Sequence, residues 1–121
     1  LARKCIRLKN LDNMIVAIDF GVTNTDVVLS NNSQIKFFSM PSKSANERFI
    51  DEIMSLIDID ITEINQIAVT GGKSNELNES YKGVNLIKIS ETDAIGYGTK
   101  EIYKTKNEPF ITLSCGTGTA C

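Results

Sequence analysis

Between residues 14 and 40 the chain runs through three short apolar stretches, MIVAID, NTDVVLS and QIKFFSM, separated only by FGVT and by a turn cluster, Asn31-Asn32-Ser33. No other feature restricts the fold as strongly. Links this short cannot carry a crossover, so the three stretches read as antiparallel neighbours in one sheet. The first, residues 14–19, is a compact apolar run that ends in Asp19 and is followed by Gly21, the pattern of a central buried strand. The second is β-branched and turns straight back, so the two form a hairpin around FGVT.

The period then changes. Ser44 with Glu47 three residues on has the form of a capping box, and Phe49, Ile50, Ile53, Met54 and Ile57 follow at helical spacing as one apolar stripe. Residues 66–70, QIAVT, predict a strand that stops at Gly71-Gly72, and a polar connection leads to another strand over 84–89, VNLIKI. Residues 90–106 predict a helix with Ala94, Ile95, Gly98 and Ile102 facing inward. Its Gly96 and Gly98 each cost about 1 kcal/mol of helix propensity against alanine, which makes sense where a helix lies close to a sheet or a ligand. Residues 109–114, PFITLS, predict a last strand before Gly116-Thr117-Gly118-Thr119. The order gives an α/β fold with a mixed five-stranded sheet. It resembles the ribonuclease-H-like half of the actin, hexokinase and Hsp70 ATPases. On that reading residues 1–13 are an upstream or non-native segment, 14–106 the N-terminal half, and 107–121 the truncated start of a second, similar half.

Composition excludes several kinds of function. The 121 residues include no histidine, so Ser-His-Asp and Cys-His catalysis and His-rich zinc sites are ruled out within this chain. A net charge of −2 lacks the basic footprint of a nucleic-acid binder. With 41% hydrophobic residues a packed core is expected, yet no apolar run nears the roughly 20 residues of a membrane helix. Cys5, Cys115 and Cys121 fit neither a disulfide framework nor a CxxC knuckle, and point to a reducing cytoplasm.

Four segments carry chemistry. Asp19-Phe20-Gly21-Val22-Thr23-Asn24-Thr25 is a DxGxTxT hairpin. Its strand delivers a carboxylate that can hold Mg²⁺, its glycine admits backbone N–H groups to a phosphate, and the hydroxyls of Thr23 and Thr25 add donors. The same residues also make an ordinary turn. Gly116-Thr117-Gly118-Thr119, about a hundred residues later, is a second nest of backbone donors or a second tight turn. Thr70-Gly71-Gly72 stands at a strand carboxyl end, where ligands of open sheets gather, and serves equally as a plain exit turn. Glu91, in Ser90-Glu91-Thr92-Asp93, is either an acidic residue favoured by a helix N-terminus or a base aimed into the cleft of Asp19. Asp93 can close a capping box with Ser90, and Lys73 reads as a solvated surface lysine rather than a phosphate ligand.

Together, IVAIDFGVTNTD, IAVTGGKS, ISETDAIGYG and LSCGTGTA resemble the type II (Fumble-like, eukaryotic-type) pantothenate kinases of the acetate/sugar kinase–Hsp70–actin superfamily, from about Met14 onward. The resemblance implies ATP and Mg²⁺ as cofactors, with Asp19, Gly21 and Thr23 handling phosphates and metal. It makes Glu91 the catalytic base on the pantothenate hydroxyl, and Gly116, Thr117, Gly118 and Thr119 the second phosphate-side loop. The implied reaction is phosphorylation of pantothenate to 4′-phosphopantothenate, opening coenzyme A synthesis, in a cytoplasmic homodimer. No nucleic-acid or membrane partner is implied, and residues 1–121 alone are expected to be inactive. The chain departs from the family at Val22 and Asp26, where a glycine and a lysine are common. Ala120 replaces a serine of the pantothenate site. The alternatives are a superfamily kinase for another small hydroxylated substrate such as a sugar, or a non-catalytic nucleotide-binding regulator.

Overall fold

The computed structural model describes residues 13–103 and residue 111. Three strands, β1 (Ile15–Phe20), β2 (Asn24–Ser30) and β3 (Ile35–Pro41), form the expected antiparallel meander. Helix α1 (Glu47–Ile57) crosses back to β4 (Gln66–Thr70), which pairs in parallel with β1. A short strand β5 (Ser80–Tyr81) precedes β6 (Val84–Lys88), which is parallel to β4, and α2 (Glu91–Tyr103) follows. The sheet order is β3-β2-β1-β4-β6-β5. This is the expected mixed α/β sheet of ribonuclease-H-like type, with β1 at its centre.

The sheet has six strands rather than five. The extra one lies inside the polar connection. Lys82 and Gly83, at φ 46° and 84°, make a tight turn that pairs Tyr81 with Val84. Tyr81 is buried at 2% exposure, its hydroxyl donates to Asp51 on α1, and Lys82 Nζ stands 3.0 Å from the same carboxylate. Burial, followed by that bond to Asp51, pushes the phenol up to about 12.

One face of the sheet is closed. By strand alternation Val16, Ile18 and Phe20 of β1, Val27 and Leu29 of β2, and Ile67 and Val69 of β4 share this face and are buried. The stripe Phe49, Ile50, Ile53, Met54 and Ile57 of α1 is buried with them in a single core, as its spacing predicts. Each such side chain contributes roughly 1.5–3 kcal/mol by leaving water. The Phe20 and Phe49 rings meet at 6.0 Å.

The cap of α1 differs from expectation. Asn46, not Ser44, accepts the Phe49 N–H, at 2.9 Å. Asparagine caps as well as serine, and placing it there puts Glu47 in the first turn, where the helix dipole favours acid. The second face is open, and there the expectation for α2 fails. Ala94, Ile95, Gly98 and Ile102 do not enter a core: no α2 residue is buried and Ile102 is 76% exposed.

Candidate functional site

The site grows from the carboxyl ends of the central strands. In β1 the closed-face residues are Val16, Ile18 and Phe20, so alternation turns Asp19 onto the open face. Register sets Asp26 of β2 directly across from Asp19 on one side and Thr70 of β4 on the other. Ile89 donates its N–H to the Val69 carbonyl at 2.9 Å, which prolongs the β4–β6 ladder to the level of Thr70. Glu91 follows two residues later, opening α2. Asp93 N–H bonds the Ser90 hydroxyl at 3.2 Å, so Ser90 caps the helix as expected.

Two buried polar atoms in this corner, Asp19 Oδ1 and Thr70 Oγ1, have no hydrogen-bond partner among the described residues. Such orphaned atoms are expensive unless a ligand satisfies them. Burial raises the Asp19 carboxyl above the ordinary 3.8, and the charges of Glu91 and then Asp26 raise it further. The charge of Glu91, at the start of α2, thus reaches Asp19. A hard cation prefers oxygen donors, and Asp19 beside an unpartnered hydroxyl suits one. No three acidic or thiol side chains converge closely enough, among the described residues, to hold a metal by themselves.

The hairpin tip is rigidly held. Gly21 N–H bonds the Asp19 carbonyl at 3.0 Å, and a Cβ at Gly21 would overlap the Asn24 carbonyl oxygen. Gly71 sits at φ 100°, where a Cβ would strike the Phe20 backbone, so the Thr70-Gly71 turn packs directly against the end of β1. Ser42 is the residue that sequence reasoning missed. Its hydroxyl donates to the Gly21 carbonyl at 2.6 Å and lies 3.0 Å from Thr25 Oγ1, and its N–H donates to the Thr23 carbonyl at 2.9 Å. The signal was its place just after β3, beside the tip.

Thr25 does not serve as a phosphate donor. It pairs with Phe20 on the closed face, is 0% exposed, and its hydroxyl partners Ser42. Thr23 is exposed at the tip, as is Lys73 beyond the Gly71-Gly72 turn. Gly116, Thr117, Gly118, Thr119 and Ala120, with the last predicted strand and the cysteines, lie outside the described residues.

From this corner an open trough of about 580 Å³ runs over the open face, lined by Ala17, Val28, Phe37, Ala68 and Ala94, with Asp19 and Asp26 at its edge. No described helix is long and apolar enough to cross a membrane.

No family model matches the chain, and no curated protein matches it. Its fold is similar to that of the activator of the 2-hydroxyisocaproyl-CoA dehydratase from Clostridium difficile, which was solved with ADPNP bound. The TM-score is 0.54 at 18% identity, over 72% of this chain and 32% of the activator. YeaZ from Pseudomonas aeruginosa is also similar, with a TM-score of 0.45 at 7% identity over 76% of this chain and 50% of YeaZ. The chain thus spans a third to a half of these proteins, and the likeness is one of fold. That fold is the mixed α/β, ribonuclease-H-like sheet described above.

Proposed function

We propose that the chain belongs to an ATP-dependent kinase that phosphorylates a small hydroxylated substrate, and that this substrate is pantothenate. The observation that carries the reading is the corner itself. A half-buried carboxylate, Asp19, and an unpartnered hydroxyl, Thr70, stand at the strand carboxyl ends within the field of Glu91. The dehydratase activator, of like fold, binds a nucleotide analogue. Pantothenate rests on the resemblance of the IAVTGGKS and ISETDAIGYG segments.

In this mechanism Asp19 would hold Mg²⁺, directly or through water, and the bound ion would supply charge neutralisation at the transferred phosphate. The burial and neighbouring carboxylates that raise the Asp19 carboxyl also favour a cation beside it. Gly21 spends its own N–H on Asp19, so its contribution is the absent side chain, which lets phosphate approach the tip where Thr23 is exposed. Glu91, exposed at the start of α2, accepts the proton of the substrate hydroxyl as it attacks.

Kinetics of the intact protein with pantothenate, beside calorimetric ATP binding, test this. Glu91→Gln should keep nucleotide binding while turnover falls roughly 10²–10⁴-fold. Asp19→Asn should lose turnover and alter the Mg²⁺ response. Near-normal turnover in Glu91→Gln would return Glu91 to a plain helix-terminus role. Phosphorylation of a sugar but not of pantothenate would retain the kinase and retire its substrate.

A further inference from the structure

Ser42 stands just beyond β3, outside the two strands of the Gly21 hairpin, yet it ties three points of that hairpin together. Its hydroxyl donates to the Gly21 carbonyl at 2.6 Å and lies 3.0 Å from Thr25 Oγ1, and its N–H donates to the Thr23 carbonyl at 2.9 Å. A hydroxyl has a single proton to give. The Gly21 carbonyl can only accept, so the Ser42 proton goes there, and the Thr25 hydroxyl must donate to Ser42 Oγ. The relay therefore runs one way, from Thr25 through Ser42 to Gly21. Its origin is fixed, because Thr25 is fully buried among the closed-face side chains.

The direction of these bonds sets the direction of others. No described peptide bond is cis, and in a planar trans unit the carbonyl of one residue and the N–H of the next point opposite ways. Thr25 occupies the closed face, so the Ser42 hydroxyl beside it draws the Gly21 carbonyl toward that side. The Val22 N–H is thereby turned toward the open face, where Asp19 stands. In the same way the Ser42 N–H, which prolongs the β2–β3 ladder, holds the Thr23 carbonyl toward β3 and turns the Asn24 N–H toward β1. The Val22 N–H has no hydrogen-bond partner among the described residues, and Val22 is 77% exposed. An outward, unpaired backbone donor next to a glycine is a group that an anionic oxygen can use.

We propose that Ser42 is the positioning residue of this hairpin: by holding the Gly21 and Thr23 carbonyls back, it presents the Val22 N–H to a phosphate oxygen of the nucleotide. The proposal rests on the nucleotide-binding part of the kinase reading, and adds to it a residue that touches neither nucleotide nor substrate. One oxygen accepts from the core and donates to the tip. Threonine can do both at this place, and alanine neither.

The test is calorimetric binding of ATP with Mg²⁺ to the intact protein, well below its melting temperature. Ser42→Ala should raise the Kd by about tenfold or more, and Ser42→Thr should stay within about threefold of wild type. Thr25→Val separates positioning from loosened packing. Valine has the shape of threonine and offers Ser42 no acceptor, so the bond to Gly21 is kept. This variant should melt below wild type yet bind ATP within about threefold of it. Unchanged binding in Ser42→Ala would overturn the proposal, and so would equal weakening in Ser42→Ala and Thr25→Val. Wild-type protein that binds no ATP would retire the nucleotide reading itself, and the proposal with it. Should Ser42→Ala not fold, Ser42→Cys takes its place, because a thiol is a weak donor. Binding weakened by about threefold or more then supports the proposal, and unchanged binding overturns it.

Discussion

The two faces of this sheet are made from the same strands and differ in almost everything else. The closed face carries Val16, Ile18, Val27, Ile67 and Val69, each at 1% exposure or less, under a helix that buries five residues. The open face carries Ala17, Asp19, Asp26, Ala68 and Thr70, and α2, which starts beside it, buries no residue. Large side chains build stability on one side. Small and ionisable ones leave room on the other, and the orphaned polar atoms lie there. Alternation along β1 separates these tasks by a single residue, which is why Asp19 can stand between Ile18 and Phe20.

The sharpest way to break this contrast is to truncate one large residue on each side. Ile53→Ala, in the closed core, should cost about 2–5 kcal/mol in urea unfolding, while Phe37→Ala on the open face should stay within roughly 0.5 kcal/mol. Comparable losses would erase the distinction between the faces. Next come the adjacent glycines at the end of β4. Gly71→Ala meets both positive φ and the Phe20 backbone and should cost roughly 2–3 kcal/mol, whereas Gly72, with nothing within 4 Å, should tolerate alanine. Smaller still, Ser42→Ala should lose about 1–2 kcal/mol by leaving the buried Thr25 hydroxyl without its partner, and Ser42→Thr should recover part of it.

The fourth effect has the opposite sign. Because burial, Glu91 and Asp26 raise the Asp19 carboxyl, its stabilising contribution is present at acid pH and is lost as pH rises through its folded value. Asp19→Asn should therefore melt above the wild type at neutral pH, and the gap should close as pH falls toward 3.8. A gap that is constant with pH would remove ionisation as its cause.

Much of this was legible because short-range rules governed it. The meander, the α1 stripe and the strand ending in Asp19 all follow from alternation, helical spacing and turn chemistry. What escaped depended on contacts between distant segments. β5 is only two residues long, and its Tyr81 reaches Asp51 on α1, thirty residues away. Ser42 matters through Gly21 and Thr25, seventeen or more residues away in sequence. Thr25 was misread because hydroxyl spacing was weighed before strand parity, and parity decides which face a side chain occupies. Asp19 and Glu91 were both named from motifs, but the effect of Glu91 on the Asp19 carboxyl needed the β4–β6 ladder to bring the start of α2 near it.

Melting of the intact protein and of Asp19→Asn at neutral pH, with and without ATP and Mg²⁺, tests the functional reading of the open-face corner most directly. The expected result is that the variant alone melts higher, and that nucleotide with metal raises only the wild type. At a hundredfold excess over Kd that rise corresponds to about 2.7 kcal/mol. A variant that melts lower than wild type and gains equally from nucleotide would contradict it, and Asp19 would then be a structural residue of the sheet.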